Sequence, residues 1–290
     1  MNALILINKP VGIRSTQCVA IVRKSLGGLK VGHAGTLDST ASGLLVLLAG
    51  QASRLCEYVM SLPKVYRTVI QFGVETDTYD YSGEVLAEHS TEALTVKAID
   101  DALYKFSGVR LQSPPAISAV KIDGVPAHKL ARSGQDVKTR ERPVFFRRID
   151  RLTGIEDGAI TLEVSCGRGT YIRSLAHDLG VILGCGAHVK SLTRISVGNF
   201  SLDYADNIEA QDFRPVSLGE LAKNYERISV SSRDAKTFTN GMSILLSQAE
   251  GLHKGVTVMK DNICVEGEEF LGFGTYAGYD YVRPVVIVPK

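Results

Sequence analysis

The feature that most constrains how this chain can fold is a segment with one carboxylate among small residues, followed by an apolar run. Residues 32–45 read GHAGTLDSTASGLL, and the acidic residue among them is Asp38. Glycines in this segment permit backbone conformations that other residues adopt only with strain, and the apolar run 44–48 predicts a buried strand. The pattern is typical of a loop that presents a functional side chain from a rigid base. A plain turn, in which Asp38 only accepts backbone hydrogen bonds, is the alternative that the segment alone leaves open.

Length and composition indicate a globular protein with one large and one small domain. The chain has 290 residues, enough to bury a sizeable core. No apolar run approaches the roughly 18 residues of a membrane span, and the first ten residues lack the basic start and cleavage site of a signal peptide. The five cysteines are dispersed and never spaced as Cys-x-x-Cys, which argues against disulfides and a zinc site. We therefore expect a cytoplasmic protein without a membrane segment or a bound metal.

Charge is distributed unevenly although the net charge is only +2. Counted from the sequence, residues 1–70 carry +6, 71–104 carry −7, 105–151 carry +7, 152–200 carry 0 and 201–290 carry −4. Two basic stretches separated by an acidic one are compatible with a surface that follows the phosphates of a nucleic acid. Solvated surface charge is the alternative interpretation.

Hydrophobic periodicity predicts alternating strands and helices up to about residue 226. Ser15 is the predicted N-cap of the first helix, because its hydroxyl can accept a hydrogen bond from the first turn. The acidic segment 75–83, which contains Asp77 and Asp80, is interpreted as a solvated loop. Residues 227–290 show short strands separated by glycine turns, which is typical of a small β-barrel-like module. The other predicted elements are strands at 3–8, 64–74, 144–152, 159–166 and 188–197 and helices at 52–60, 96–106 and 172–183.

Four segments in a fixed order carry a resemblance to a known family. Besides residues 32–45, they are LINKPVG at 6–12, KVYR at 64–67 and GTYIRSL at 169–175. Together they resemble the motifs of the TruB family of tRNA pseudouridine synthases. The resemblance implies an α+β fold with a central mixed or antiparallel sheet flanked by helices. It also implies a catalytic domain at 1–226 with a basic RNA-gripping insertion at about 110–142, and a PUA-like RNA-binding β-barrel domain at 227–290.

The resemblance further implies an isomerase that converts uridine to pseudouridine at position 55 in the T loop of tRNA. Because the reaction breaks the N1–C1′ bond and joins C5 to C1′ without redox change, no cofactor is expected. It needs one ionised carboxylate near the ribose, and Asp38 matches the family's catalytic aspartate. Arg173 is expected to pair with Asp38 and keep it ionised. Tyr66 is expected to stack on the flipped base and to take part in proton transfer at C5.

Further residues are expected to bind the substrate. By resemblance His33 packs into the gap left by the flipped nucleotide and Leu192 closes one face of the base. The resemblance also places the acidic segment 75–83 beside the active site, which is the alternative to a solvated loop. Cations of the insertion are expected to neutralise phosphates, although each one taken singly is equally a surface charge. The remaining predicted substrate-binding residues are Lys9, Lys64, Tyr171, Lys129, Arg132, Lys138, Arg140 and Arg142.

The alternatives are a folding factor that grips tRNA without catalysis and a guide-RNA-dependent relative of the same fold. A pure binding protein has no need for an ion pair beside a stacking platform, which favours the enzyme. The start of the chain at the Lys9-Pro10 strand and the presence of the basic insertion favour a stand-alone, monomeric enzyme that uses no guide RNA. Three positions depart from the family pattern: Ser39 replaces a usual proline, Arg14 a usual small or apolar residue and His128 a usual tyrosine.

Overall fold

The computed structural model describes residues 1–118, 121–122, 124–127, 130, 139–246 and 262–289. In these residues the strands are β1 Ala3–Lys9, β2 Val31–His33, β3 Ser42–Ala49, β4 Lys64–Phe72, β5 Val74–Thr76, β6 Val85–Glu88, β7 Gly108–Gln112, β8 Lys121–Ile122, β9 Val125–Pro126, β10 Arg142–Arg151, β11 Ala159–Cys166, β12 Ala187–Val197, β13 Phe200–Ser201, β14 Asp206–Asn207, β15 Pro215–Val216, β16 Arg227–Ser229, β17 Ile244–Leu245, β18 Ile263–Glu266, β19 Phe270–Tyr276 and β20 Tyr281–Ile287. The α-helices are α1 Ser15–Ser25, α2 Cys56–Ser61, α3 Val96–Tyr104, α4 Ile172–Leu183, α5 Leu218–Ala222 and α6 Ser232–Thr239. Short 3₁₀ helices lie at Gly50–Leu55, Leu202–Tyr204 and Ile208–Ala210.

A mixed sheet organises the first 216 residues, as the α+β prediction requires. Its strand order is β14-β1-β3-β12-β4-β11-β10-β7, with β2, β13 and β15 attached at the side. Most neighbours are antiparallel, whereas β12 runs parallel to β3 and β14 runs parallel to β1. The parallel contact pairs Thr193 with Ser42 and Arg194 with Gly43, and it brings the start of β3 beside the middle of β12. The segment that contains Asp38 therefore lies at the centre of the sheet.

The two halves of this sheet differ in how many of their faces are buried. In β3 the side chains alternate between two apolar clusters, one of which includes Leu44 and Val46 and the other Leu45 and Leu47 together with α1. Because both faces are covered, the strand is a continuous apolar run, which explains the pattern in the sequence. In β4, β10 and β11 only one face is buried, against α3 and α4. Their other face is polar and carries ion pairs such as Arg67–Glu163.

The first helix begins one residue earlier than its predicted cap. Arg14 is the N-cap residue, in extended conformation, and Ser15 is already helical. The Ser15 hydroxyl is buried and instead donates to the Leu37 carbonyl at 2.9 Å and accepts from the Leu37 amide at 2.9 Å. The predicted cap is therefore wrong in role, because the side chain ties α1 to the loop that contains Asp38.

A second sheet follows the first, in the order β16-β18-β19-β20-β17. This curled five-stranded sheet, with α6 packed on it, agrees with the expected PUA-like fold. It is not separated from the rest by an open gap, because the fully buried Phe273 stacks on Tyr58 at a ring-centroid distance of 3.9 Å and meets Tyr225 edge-on. Phe273 also belongs to the same apolar cluster as Leu44. The two sheets thus share one core, which is called the shared core below.

None of the helices in the described part of the chain is both long enough and apolar enough to span a membrane.

Candidate active site

The Asp38 loop forms one wall of a cavity of about 680 Å³. The start of α1 and the loop residues 36–40 line the cavity. The acidic loop between β5 and β6 lines it as well, together with Ile117 and Arg173. Segments that are distant in the sequence are therefore brought together around Asp38.

Asp38 and Arg173 form an ion pair at the floor of this cavity, with 2.9 Å between Oδ2 and Nη2. The Asp38 side chain is 44 % exposed, whereas that of Arg173 is only 5 % exposed. Arg173 also donates to the Thr78 carbonyl at 2.9 Å and to the Ile117 carbonyl at 3.0 Å. The guanidinium is held from several sides, so it fixes the position of a carboxylate that remains open to a ligand.

Asp80 is buried beside this pair, so its assignment to a solvated loop is wrong. Its side chain lies 3.9 Å from Arg173 Nε and accepts hydrogen bonds from the hydroxyls of Thr78, Ser82 and Thr40. Burial alone would raise the pKa of Asp80, but the bonds from Ser82 and Thr78 and the charge of Arg173 outweigh it and hold the pKa below its usual value. Arg173 is therefore placed between two carboxylates, and Thr40 links the second one to the Asp38 loop.

Tyr66 lies on β4 close enough to Asp38 for the carboxylate charge to act on its phenol. The half-buried side chain packs against the cluster that includes α4. Burial raises the pKa of the Tyr66 phenol, while the charge of Arg194 and a hydrogen bond from it act in the opposite direction. The phenol is therefore protonated at neutral pH and has a cation beside it.

Arg194 is a residue of this site that the motif analysis did not identify. It is 1 % exposed, and it donates to the Leu44 carbonyl at 2.7 Å and to the Gly35 carbonyl at 3.0 Å. Arg194 is also the cross-strand neighbour of Tyr66 in the pairing of β12 with β4, so it connects the Asp38 loop, β3 and β4. A signal was present in the sequence, since Arg194 follows Leu192 by two positions on a strand and so faces the same side.

His33 and Tyr171 lie near the Asp38–Arg173 pair. Burial, and then the charge of Arg194, lower the pKa of His33, so its ring is neutral at pH 7, and its buried Nδ1 has no hydrogen-bond partner in the described residues. The Tyr171 phenol shares a hydrogen bond with Ser118, and its pKa is raised first by burial and then by Asp38. Leu192 is half-buried and packs on the same cluster as Tyr66. His33 therefore lines the cavity itself, whereas Tyr171, Tyr66 and Leu192 lie behind its lining, with the Tyr171 and Tyr66 phenols within reach of the Asp38 charge.

Lys9 and Lys64 are buried, and their ammonium groups bind backbone carbonyls. Lys9 donates to Pro10 at 2.8 Å and to Ile13 at 2.9 Å. Lys64 donates to Leu62 at 2.6 Å and also to Met60, and burial lowers its pKa to about 8. Both lysines therefore stabilise turns next to the site, and their predicted contact with substrate stays a prediction.

Of the five cations predicted to bind RNA in the insertion, two lie within the described residues. Arg140 is exposed and Arg142 is half-buried at the start of β10, near enough to Tyr171 for its charge to act on the phenol. Lys129, Arg132 and Lys138 lie outside the described residues, as does His128. Among the residues that are described, no group of three His, Cys, Asp or Glu side chains is arranged to hold a metal ion.

Comparison with known proteins assigns the family. The model described as TruB family pseudouridylate synthase (N terminal domain) matches residues 23–172, and that described as tRNA pseudouridylate synthase B C-terminal domain matches residues 173–225. This chain belongs to the TruB family. The predicted family and the predicted isomerase class are therefore confirmed.

Relatives named tRNA pseudouridine synthase B support the assignment over most of the chain. The protein from Geobacter sulfurreducens is 38 % identical over 282 residues, which cover 96 % of this chain and 88 % of the relative. The protein from Dehalococcoides mccartyi is 40 % identical over 260 residues, covering 85 % of each.

Solved structures confirm the fold. The structure titled "Structure of H/ACA RNP bound to a substrate RNA containing 2'-deoxyuridine" matches with a TM-score of 0.75 at 20 % identity, covering 99 % of this chain and 85 % of that one. The structure titled "Crystal Structure of a Cbf5-Nop10-Gar1 Complex" matches with a TM-score of 0.75 at 22 % identity, covering 99 % and 84 %. The TruB chain described here therefore has the pseudouridine synthase fold with the additional C-terminal sheet.

Proposed function

We propose that this enzyme isomerises uridine to pseudouridine at position 55 in the T loop of tRNA. It acts in the cytoplasm as a monomer, with neither a guide RNA nor a cofactor. The relatives named tRNA pseudouridine synthase B support the substrate class. The observation that carries the chemistry is the exposed Asp38 carboxylate, fixed 2.9 Å from a buried guanidinium at the floor of a cavity.

In this proposal Asp38 is the reactive group. As the carboxylate, it either attacks C1′ as a nucleophile or removes a proton from C2′ as a base, and each route releases uracil from the ribose. The Arg173 guanidinium favours the ionised form and limits the rotation of the carboxylate. The uracil then turns within the cavity and C5 joins C1′. On the nucleophilic route the bond between C1′ and the Asp38 oxygen breaks in this step, and on the base route Asp38 returns the proton to C2′.

The target base must leave its stack to reach Asp38, which costs about a few kcal/mol. Stacking on the Tyr66 ring returns about 1 to 3 kcal/mol, so this contact offsets most of the cost. Leu192 lies on the same side of the sheet and covers the base from another direction. After the new bond forms, a proton must leave C5, and the Tyr66 phenol with Arg194 beside it is the group placed to relay that proton.

The two domains have separate roles in the proposal. Residues 1–226 carry out the reaction, and the insertion binds RNA through Lys129, Arg132, Lys138, Arg140 and Arg142. Residues 227–290 provide the PUA-like RNA-binding surface. The boundary at 226/227 falls directly before β16, the first strand of the second sheet.

The test compares Asp38→Asn with the wild type on an unmodified tRNA transcript. Asparagine keeps the size of the side chain and removes the charge that both routes need, so pseudouridine should fall to background. Asp212→Asn, the same change at an exposed residue that does not line the cavity, is the matched control. Carbodiimide-blocked primer extension maps the modified position, and purified protein with transcript alone tests independence from guide RNA.

Three outcomes would contradict the proposal at different points. Pseudouridine made by Asp38→Asn would remove Asp38 from its assigned role. Modification at another position would correct the substrate site. A wild type that binds tRNA and leaves it unmodified would identify a non-catalytic binding factor.

A further inference from the structure

The outward side of α1 forms one wall of a groove that opens next to the active-site cavity. The groove has a volume of about 420 Å³, and its floor is made by small or apolar side chains such as Ala20, with Gly28 at the far end. Arg23 and Lys24 line it as well. Thr16 lines both the groove and the cavity around Asp38, so the two are continuous along the helix.

Three cations along this path have no carboxylate partner. In the residues that the structure describes, no Asp or Glu oxygen lies within 4.0 Å of Arg14, Arg23 or Lys24. The Arg14 side chain donates to the neutral Gln17 side chain, at 3.5 Å. Other described arginines, such as Arg67, Arg151 and Arg214, do have a carboxylate within 4.0 Å, whereas Arg54 and Arg110 bond to backbone carbonyls instead.

The sequence explains why these cations are left without partners. The first 37 residues contain five Lys or Arg residues and not one Asp or Glu, so α1 has no acidic side chain to pair with them. A row of uncompensated positive charge next to a reaction site is a typical footprint of a polyanion.

The loop between β5 and β6 contributes the opposite charge to the lining of the cavity. Asp77 and Glu84 line the cavity there, and Asp77 is exposed. A phosphate beside these carboxylates would be repelled, whereas a phosphate beside the cations of α1 would be attracted. The charges therefore indicate the direction in which a bound RNA strand leaves the cavity.

We propose that the RNA strand adjoining the flipped nucleotide runs along α1, with its phosphates on Arg14, Arg23 and Lys24. This inference rests on the proposed function, because it needs a nucleotide of a longer RNA in the cavity. From residue 14 to residue 24 the helix rises about 15 Å, at about 1.5 Å per residue. Measured along the axis of a duplex, at about 3.4 Å per nucleotide, that length contains about four phosphates of one strand. The occupant of the groove is thus a sugar–phosphate backbone.

The test is the salt dependence of tRNA binding by the full-length protein. Arg23→Ala/Lys24→Ala removes two of the charges and keeps good helix-forming residues. Lys97→Ala/Lys105→Ala removes two exposed charges, one in α3, where Lys97 pairs with Asp101, and one at the residue after α3; neither lines the groove or the cavity, and this variant is the matched control. Binding of an unmodified transcript is measured by fluorescence anisotropy from 50 to 300 mM KCl, with circular dichroism as the check on folding.

Each phosphate contact contributes about 0.7 to the slope of log K against log [salt] in a single strand and about 0.9 in a duplex, where K is the binding constant. The loss of two contacts should therefore make this slope less steep by about 1.4 to 1.8. At 0.1 M salt this corresponds to about 25- to 60-fold weaker binding. Arg14→Ser, which supplies a favourable N-cap in place of the arginine, should reduce the slope by about 0.7 to 0.9.

A slope for Arg23→Ala/Lys24→Ala equal to that of the control would overturn the inference. A similar reduction in the control would overturn it too, because the effect would then follow net charge and not position. Pseudouridine formation by the wild type is measured on the same transcript. If the wild type modifies tRNA and the slopes are equal, only the path along α1 is wrong; if it modifies no tRNA, the proposed function itself fails.

Discussion

Replacing Asp80 by asparagine should show how far the second carboxylate stabilises Arg173. Asp80 is 4 % exposed, and its carboxylate lies 3.9 Å from Arg173 Nε. At an effective dielectric constant of about 20, two unit charges at this distance attract each other by about 4 kcal/mol. The neutral amide costs less to bury than the carboxylate, and Arg173 keeps Asp38 as a partner. We therefore expect a net loss of about 2 to 3 kcal/mol in the free energy of unfolding.

The hydrogen bonds around Asp80 make this substitution specific for charge. An asparagine oxygen can still accept from the Thr78 and Ser82 hydroxyls, and the Thr40 hydroxyl can turn to accept from the new amide. Pseudouridine formation should fall by up to about 100-fold, since about 1.4 kcal/mol of lost orientation corresponds to a factor of ten. Unfolding in urea at pH 7 measures the stability, and initial rates on the tRNA transcript measure the activity.

Acidification gives an independent check. Because the folded-state pKa of Asp80 is lowered, its charge stabilises the fold fully above the unfolded pKa of about 3.9, and this stability is lost as the pH falls through the folded value. The difference between wild type and Asp80→Asn should be constant from pH 7 to pH 5 and shrink below about pH 4. Asp77→Asn, in the same loop but exposed, should change little. Equal losses in the two variants, or a difference that widens in acid, would refute the reasoning.

Three more outcomes follow from the packing of the described residues. Phe273→Ala should lower the free energy of unfolding by about 3 to 5 kcal/mol. Because its ring stacks on Tyr58, scanning calorimetry should show that both sheets are affected. Tyr104→Ala, at an exposed tyrosine, should lower the free energy of unfolding by less than about 0.5 kcal/mol. Gly43→Ala should cost at least about 3 kcal/mol in thermal unfolding, because its φ is +103° and the added Cβ would lie 2.3 Å from a backbone oxygen of Arg194. Arg194→Lys should reduce the rate of pseudouridine formation more than the affinity for tRNA. One ammonium group cannot reproduce the geometry in which the guanidinium binds two carbonyls beside Tyr66. Equal changes in rate and affinity would exclude a role of Arg194 in positioning the reacting groups.

The sequence predicts the structure well where a feature depends on residues that are close together in the chain. Apolar periodicity predicted α4 and its end at Gly184, which adopts a left-handed φ of +69°, and the continuous run 44–48 predicted a buried β3. The four motif segments identified Asp38 and Arg173, and the structure places the two side chains 2.9 Å apart. These features depend on local spacing, which a sequence shows directly.

The sequence was less informative where a role depends on partners far along the chain. Asp80 lies in a stretch of acidic residues that resembles a solvated loop, and only the position of Arg173, 93 residues later, shows why it is buried. Arg194 depends on the parallel pairing of β12 with β3, a contact between segments about 150 residues apart. Ser15 has the local pattern of an N-cap, but its hydroxyl forms two hydrogen bonds with the backbone of Leu37 instead. Such competition is decided by tertiary contacts.

The shared core also fixes the distance between the second sheet and Asp38. Because Phe273 packs between Tyr58 and Tyr225, the second sheet is held at a constant distance from Asp38 and does not move on a linker. An RNA that touches both places must match this distance between its reacting uridine and its far contact, and its second contact requires no further ordering of the protein. RNAs in which the connecting helix is lengthened or shortened by a few base pairs should then retain one contact and lose the other. If the second sheet binds RNA as proposed, the aromatic residues of the shared core would restrict substrates to RNAs whose two contacts are separated by this distance.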